Sequence, residues 1–241
     1  MTGVLYDTAW SAPAGPLRVP DRVWYEVRRH LPGPRVLEIG CGIRPSIPLD
    51  GGNRFLDLSP AAVQKLRRAG ARADVGSITE TGFEDASFDA VFALEVFEHV
   101  FDDERAFAEV ARILSPGGLL VMSVPLHMAR WTRMDQLIGH ERRYEPHELQ
   151  EKLEAGGFEV ARYAVRPSRM PAFWTDAAAP VYRRFPRTCV TIAHYLGFYP
   201  ARVVSQLGRS AWRSGSRLEV PDGSGGITVV ARCRPDGAGR R

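Results

Sequence analysis

A chain of 241 residues is long for one ordinary domain and short for two, which fits a single elaborated α/β core carrying an insertion. Hydrophobic residues at 44% and charged residues at 25% are globular values and exclude wholesale disorder. The net charge of +4 comes without any run of five basic residues, so nucleic acid is not expected as a partner, and an anionic substrate or a lipid headgroup is the most the charge suggests.

Cys41, Cys189 and Cys233 form no CxxC pair and are odd in number, which indicates neither a disulfide framework nor a zinc site; a reducing, cytoplasmic setting is expected. Residues 1–10 lack the basic stretch and apolar segment of a signal peptide. The apolar stretch 188–201 is shorter than the ~20 residues of a spanning helix and contains His194 and Pro200, so no transmembrane segment is expected.

In chain order, residues 20–31 place Val23, Trp24, Val27 and Leu31 on one side of a helix, expected to cover the ligand edge of a sheet. Val36–Ile39 is a short apolar strand ended by glycines, and Arg54–Asp57 is a second. Between Ser59 and Gly70 a cap-type Ser, a Pro at the first helical position, Val63 and Leu66 on one face and a terminal Gly predict a helix. Strands follow at 72–74, 88–94 and 118–125, with a helix over 103–114 built on Phe107, Val110, Ala111 and Leu114. A helix over 146–155, a sixth strand at 158–165 and a seventh at 226–233 complete the alternation, which implies a mostly parallel sheet with helices on both faces. Residues 1–34 are expected to form an N-terminal helical cap, 35–166 with 226–234 the core, 167–225 a helical insertion between strands six and seven, and 235–241 a disordered tail.

In such sheets ligands bind beyond the C-terminal strand ends where strand order reverses. A dinucleotide loop would read G-x-G-x-x-G and open a helix whose N-terminus meets the pyrophosphate. Here Gly40-Cys41-Gly42 is followed by Pro45 and Pro48, which suits a ligand without phosphate. Asp57, ending the second strand, is placed to accept hydrogen bonds from both ribose hydroxyls. Asp74 is placed to accept from an adenine amino group, with Val75 offering backbone to the ring edge, and Glu38 adds negative charge favouring a cationic ligand. Ribose, adenine amine and positive charge together describe S-adenosylmethionine.

The motifs VLEIGCG (36–42), FLDLSP (55–60), ADVGSI (73–78), FDAVFALEVFEHV (88–100) and LSPGGLLVMSVP (114–125), in this order, resemble the class I S-adenosylmethionine-dependent methyltransferases. Residues 127–160 are similar to a bacterial small-molecule, type 11-like branch. The resemblance covers roughly 35–166 plus the last strand. It implies a Rossmann-like seven-stranded sheet with an antiparallel last strand. It also implies cofactor contacts at Gly40, Cys41 and Gly42 (methionine end), Asp57 and Leu58 (ribose), Asp74 and Val75 (adenine), and Leu94, Glu95 and His99 near the sulfonium. The departure is the proline-bearing segment 43–53, where the family has a helix; Arg44 is the candidate partner of the methionine carboxylate.

Methyl transfer to a hydroxyl needs alignment and a base, most often histidine. His140, in Gly139-His140-Glu141-Arg142-Arg143-Tyr144, is the first candidate and His127 the second; each is equally readable as a structural loop histidine. Trp131, Arg143 and Tyr144 are candidate substrate contacts. The aromatics Phe173, Trp174, Tyr182, Tyr195, Phe198, Tyr199 and Trp212 line either an acceptor pocket or a core or dimer contact. Asp102, Asp103 and Glu104 read as helix-start acids, and no metal is expected. The insertion is a candidate lid, homodimer element or peripheral membrane patch.

The expectation is therefore a metal-independent methyltransferase acting on a small organic acceptor, at oxygen, in biosynthesis. Methylation at carbon or nitrogen, other chemistry with the same cofactor such as cyclisation, and a non-catalytic partner protein are the alternatives. An amino-methylating nucleic-acid enzyme is opposed by Leu94–Phe97, which stands where those enzymes carry a Pro-Pro-aromatic tetrapeptide.

Overall fold

The computed structural model describes residues 7–16, 20–50, 52–167, 172–192 and 211–235. At its centre lies β1 (Val36–Ile39), buried along its whole length. β2 (Arg54–Asp57) and β4 (Phe88–Leu94) flank it in parallel; β3 (Arg72–Val75) follows β2, and β5 (Leu114–Pro125) follows β4, also in parallel. Near-continuous apolar runs are what a parallel sheet covered on both faces demands. Beyond β5 the pairing becomes antiparallel: β8 (Ser224–Cys233) lies between β5 and β6 (Phe158–Pro167), and β7 (Trp212–Ser214) edges β6.

The order β3-β2-β1-β4-β5-β8-β6-β7 corrects the expected strand count from seven to eight. The extra strand, β7, lies within 167–225, a stretch read from sequence as helical. Three residues carry too little alternation to be legible. What holds them is Trp212, whose indole N–H donates to Glu26 and whose ring has the Arg162 guanidinium 4.8 Å above it.

The described helices of more than four residues are α1 (Arg22–Val27), α2 (Pro60–Arg68), α3 (Asp103–Ile113), α4 (Arg133–Leu137), α5 (Pro146–Ala155), α6 (Ala172–Arg184) and α7 (Pro186–Ile192). Strand parity divides the core. Leu37, Leu56, Val91, Leu120 and Val229 face Phe107 and Val110 of α3 and Leu149 and Leu153 of α5. The alternate residues Val36, Phe55, Phe92, Val121 and Val230 face Val63 and Leu66 of α2 and Val27 of α1. No helix among the described residues is long and apolar enough to cross a membrane. Tyr195, Phe198, Tyr199 and the tail 236–241 lie outside the described residues.

Pro45 and Pro48 have a visible consequence: residues 43–50 run as coil, with Ile43 and Ile47 buried. A coil has no helix to satisfy its N–H groups, and a buried unsatisfied N–H is costly. Glu38, on the same sheet face as Val36, supplies the acceptors: its carboxylate takes the N–H of Ser46 at 2.8 and 2.9 Å and that of Ile47 at 3.1 Å. The negative charge expected to face a cationic ligand is therefore engaged with the chain itself.

α1, capped by the Asp21 carboxylate, fills the sheet face beside this coil. Val27 is buried, and the Trp24 ring lies 5.9 Å from Phe92. Without a helix after β1 the face of the sheet is open there, and α1 packs on it through Val27 and Trp24.

Candidate active site

Strand order reverses between β1 and β4, and the site is built around that reversal. Gly40 and Gly42 have φ of +71° and +56°, the left-handed region open to glycine. A Cβ on Gly40 would meet the Val96 side chain at 2.7 Å, and one on Gly42 the Trp10 ring at 2.7 Å. Half-buried Cys41 lies between them.

Asp57, buried at the end of β2, accepts the Gly42 N–H at 2.7 Å with one oxygen and the Ser59 N–H at 2.8 Å with the other. Burial raises its pKa against the pull of those two hydrogen bonds. A carboxylate has about four lone-pair sites, so this one shapes the loop and retains acceptor capacity for a ligand. Beside it Leu58 and Val75 are 72% and 53% exposed. Two open apolar side chains on neighbouring strand ends next to a buried carboxylate make a surface for a flat ring joined to a polyol.

Asp74 stands differently from its expected role. Its carboxylate is paired with Arg54 at 2.7 Å and Arg67 at 3.3 Å. Residues 7–16 cross the glycine loop. Asp7 accepts from the Ser59 hydroxyl at 2.7 Å and the Ala61 N–H at 3.1 Å, Lys65 donates to the Ala14 carbonyl at 2.8 Å, and Trp10 packs on Gly42. Arg44 lies 5.0 Å over the Trp10 ring.

The other half begins at half-buried Leu94, after which Glu95 takes a positive φ of 57°. Its carboxylate accepts from the Ser123 hydroxyl at 2.7 Å and is ion-paired with Arg166. Next comes Val96, which touches Gly40, and then Glu98, fully buried, with neither carboxylate oxygen in a hydrogen bond. Burial, reinforced by Glu95, holds the Glu98 carboxyl well above the usual range.

His99 Nδ1 lies 3.1 Å from the Gly139 carbonyl, which can only accept, so this nitrogen carries the proton. Burial and then His140 bring the His99 pKa down to about 4. The His99 and His140 rings meet edge to face at 4.5 Å, and His140 Nε2 is 3.9 Å from Glu98.

His140 owes its orientation to a helix cap. Thr132 and Asp135 form a reciprocal capping box at the start of α4, which fixes the Asp135 carboxylate. Asp135 also accepts from His140 Nδ1 at 2.7 Å and from Arg143 at 2.8 and 3.1 Å. Burial would raise the Asp135 carboxyl, yet His140, Arg143 and Thr132 hold it far below the usual range. Asp135 holds a proton on Nδ1 of His140, which in the neutral ring leaves the lone pair on Nε2. Arg143, expected at the substrate, thus serves Asp135.

Tyr144, also expected there, is fully buried and donates to Asp103 at 2.7 Å: its apolar ring belongs to the core, and its hydroxyl found a buried acceptor. Trp131 is half-buried between β5 and α4. His127, directly after β5 and Leu126, has φ +65°, a strained value for a non-glycine residue. Its Nδ1 is 2.9 Å from Glu145, and its Nε2 is buried without a hydrogen-bond partner. Glu98, Asp135 and Glu145 were not singled out from sequence; the Thr-x-x-Asp spacing of 132–135, five residues before His140, was the available signal for Asp135.

A parallel sheet whose order reverses between β1 and β4, a glycine loop with no helix directly after it and an acid ending β2 give a Rossmann-like architecture. Residues 37–122 match the family described as a methyltransferase domain. A probable S-adenosylmethionine-dependent methyltransferase of Mycolicibacterium smegmatis is 34% identical over 146 residues, 57% of each chain. A ubiquinone biosynthesis O-methyltransferase of Xanthomonas oryzae pv. oryzae is 35% identical over 130 residues, 47% of this chain and 54% of that one. Both matches span little more than half of the relative. The crystal structure of the 4+2 cyclase SpnF shares the fold, with a TM-score of 0.61 at 20% identity over 96% of this chain and 94% of that one. Over residues 37–122 the chain is similar to S-adenosylmethionine-dependent methyltransferases, a family whose cofactor is S-adenosylmethionine.

Proposed function

We propose that the protein transfers a methyl group from S-adenosylmethionine to an oxygen of a small organic acceptor. The observation that carries the choice of oxygen is the His127–Glu145 pair: a histidine at a strand end, strained in its backbone, held at Nδ1 by a carboxylate and with Nε2 unpartnered. A neutral amine attacks a sulfonium methyl with its own lone pair, whereas a hydroxyl must also lose a proton, and a carboxylate-oriented histidine serves that step. The Xanthomonas relative, named as an O-methyltransferase, supports the same reading.

In this reaction the hydroxyl proton passes to His127 Nε2, the oxygen lone pair forms the O–C bond, and the S–C electron pair returns to sulfur, leaving S-adenosylhomocysteine. On the cofactor side, Gly40 and Gly42 admit the methionine end, Asp57 takes the ribose hydroxyls, and Leu58 and Val75 flank the adenine. These assignments rest on the loop geometry and the exposed apolar pair. A cytoplasmic place in biosynthesis accords with this reading, as does the lack of any disulfide among the described cysteines.

A second reading, other chemistry on the same fold, is favoured by the likeness to SpnF, named as a cyclase. Incubation with S-adenosylmethionine labelled in the methyl group and a panel of phenols, sugars and amines separates the two. Label in an ether product supports the proposal, label in an amine product overturns the choice of oxygen, and an acceptor converted without label points to the second reading.

A further inference from the structure

Among the groups that the mechanism above leaves unused is the Glu98 carboxylate, fully buried, with neither oxygen hydrogen-bonded. Such a group is rare enough to need a reason, because a buried carboxylate without partners is strongly disfavoured. Its neighbours supply one. Ligating atoms of Glu98, His99 and His140 lie within 4.8 Å of one another, so some point lies within about 2.8 Å of all three. First-row divalent cations bind such atoms at about 2.0–2.2 Å, so closing the site takes side-chain shifts of under about 1 Å.

The charges also leave room for a cation. Among the carboxylates of this cluster, Glu95 is matched by Arg166 and Asp135 by Arg143, while Glu98 has no ion pair closer than His140 at 3.9 Å.

The surroundings are those of a metal site. His140 Nδ1 is held by Asp135, the carboxylate–histidine relay that orients imidazole ligands, and His99 Nδ1 is held by a backbone carbonyl. Both contacts direct the ring lone pair to Nε2. We infer that Glu98, His99 and His140 bind a divalent first-row transition cation at the acceptor side of the cofactor loop. Two imidazoles and one carboxylate select that class over magnesium or calcium, and three protein ligands leave a position open. The open position would take the acceptor hydroxyl and lower its pKa before the proton leaves for His127.

This assignment departs from the metal-independent reaction expected from the sequence. The purpose given to the cation rests on the methyl-transfer reading; the ligand set does not.

The test is titration of the full-length protein, stripped with chelator and re-equilibrated, with Co²⁺, followed by calorimetry and by visible d–d absorption, with S-adenosylhomocysteine titrated separately. Wild type is expected to bind one Co²⁺ per chain. Glu98→Gln, isosteric and relieved of a buried charge, and His99→Gln are expected to weaken binding at least about tenfold, and Asp135→Asn about 10–100-fold. Glu98→Gln and Asp135→Asn should keep S-adenosylhomocysteine affinity, which shows that they are folded. No saturable cobalt binding by a wild type that binds S-adenosylhomocysteine overturns the metal site alone. Cobalt binding unchanged in Glu98→Gln and His99→Gln also overturns it. Cobalt bound with S-adenosylhomocysteine ignored leaves the site standing and overturns the methyl-transfer reading.

Discussion

The two sides of the strand reversal are built from different materials. Around β1–β3 the candidate cofactor half is backbone, glycine and apolar side chain. Its buried carboxylates, Glu38 and Asp57, are already anchored to N–H groups of the chain, and its exposed groups are Leu58 and Val75. After β4 and β5 the candidate acceptor half holds two carboxylate-oriented histidines, a third histidine and an unpartnered buried glutamate. A cofactor that is the same at every turnover can be met by fixed shape. A reacting acceptor requires proton and charge handling, and among the described residues the orphaned atoms of Glu98 and His127 are found there, beside those of Arg22 and Arg54 elsewhere.

If this division holds, substitutions in one half should leave the other half's observable unmoved. The largest effect is expected from His127→Gln, a fall in kcat of about 10²–10⁴-fold with S-adenosylhomocysteine affinity preserved. Steady-state kinetics beside calorimetry decides it, and an unchanged kcat would return His127 to the loop.

Asp57→Ala should do the reverse, weakening S-adenosylhomocysteine binding by about 10–100-fold, because hydrogen bonds to a charged acceptor are worth about 1.5–3 kcal/mol. Part of that loss comes from releasing the Gly42 and Ser59 N–H groups.

The smallest effect is a control remote from both halves. Glu109 accepts from Thr81 and Arg112; burial would raise its pKa, but these partners bring it down to about 2. A carboxyl depressed on folding contributes stability above its unfolded pKa of 4.5 and loses it as pH falls from there toward 2. Glu109→Gln should therefore lower Tm by a few degrees at pH 7. The gap to wild type should close by pH 2–3, with activity at pH 7 untouched. A gap independent of pH would mean that the carboxylate charge is not what stabilises.

The parts of the molecule with strong local signals were legible. Ser59-Pro60 and the Val63/Leu66 spacing announced α2, and Val36–Ile39 with its glycines announced β1 and its loop. β7 was not legible, since three residues held by Trp212 and Glu26 carry no period. In the candidate site, the left-handed turns at Gly40 and Gly42 and the place of Asp57 at the end of β2 could be read because they follow from position. The partners of Asp74, Arg143 and Tyr144 were not legible because a charge or a phenol names a chemistry and not a direction. Arg54, Asp135 and Asp103, distant in sequence from those residues or on another element, decide where they point. Glu98 was hidden for the converse reason: what distinguishes it is the absence of a partner, which only packing creates.

Calorimetric titration of the intact protein with S-adenosylhomocysteine tests the central claim most directly. The coil at 43–50, pinned by Glu38, should keep the glycine loop competent, and one-to-one binding in the micromolar range is predicted. No binding at millimolar concentration would contradict the account, leaving a methyltransferase fold whose cofactor loop no longer works.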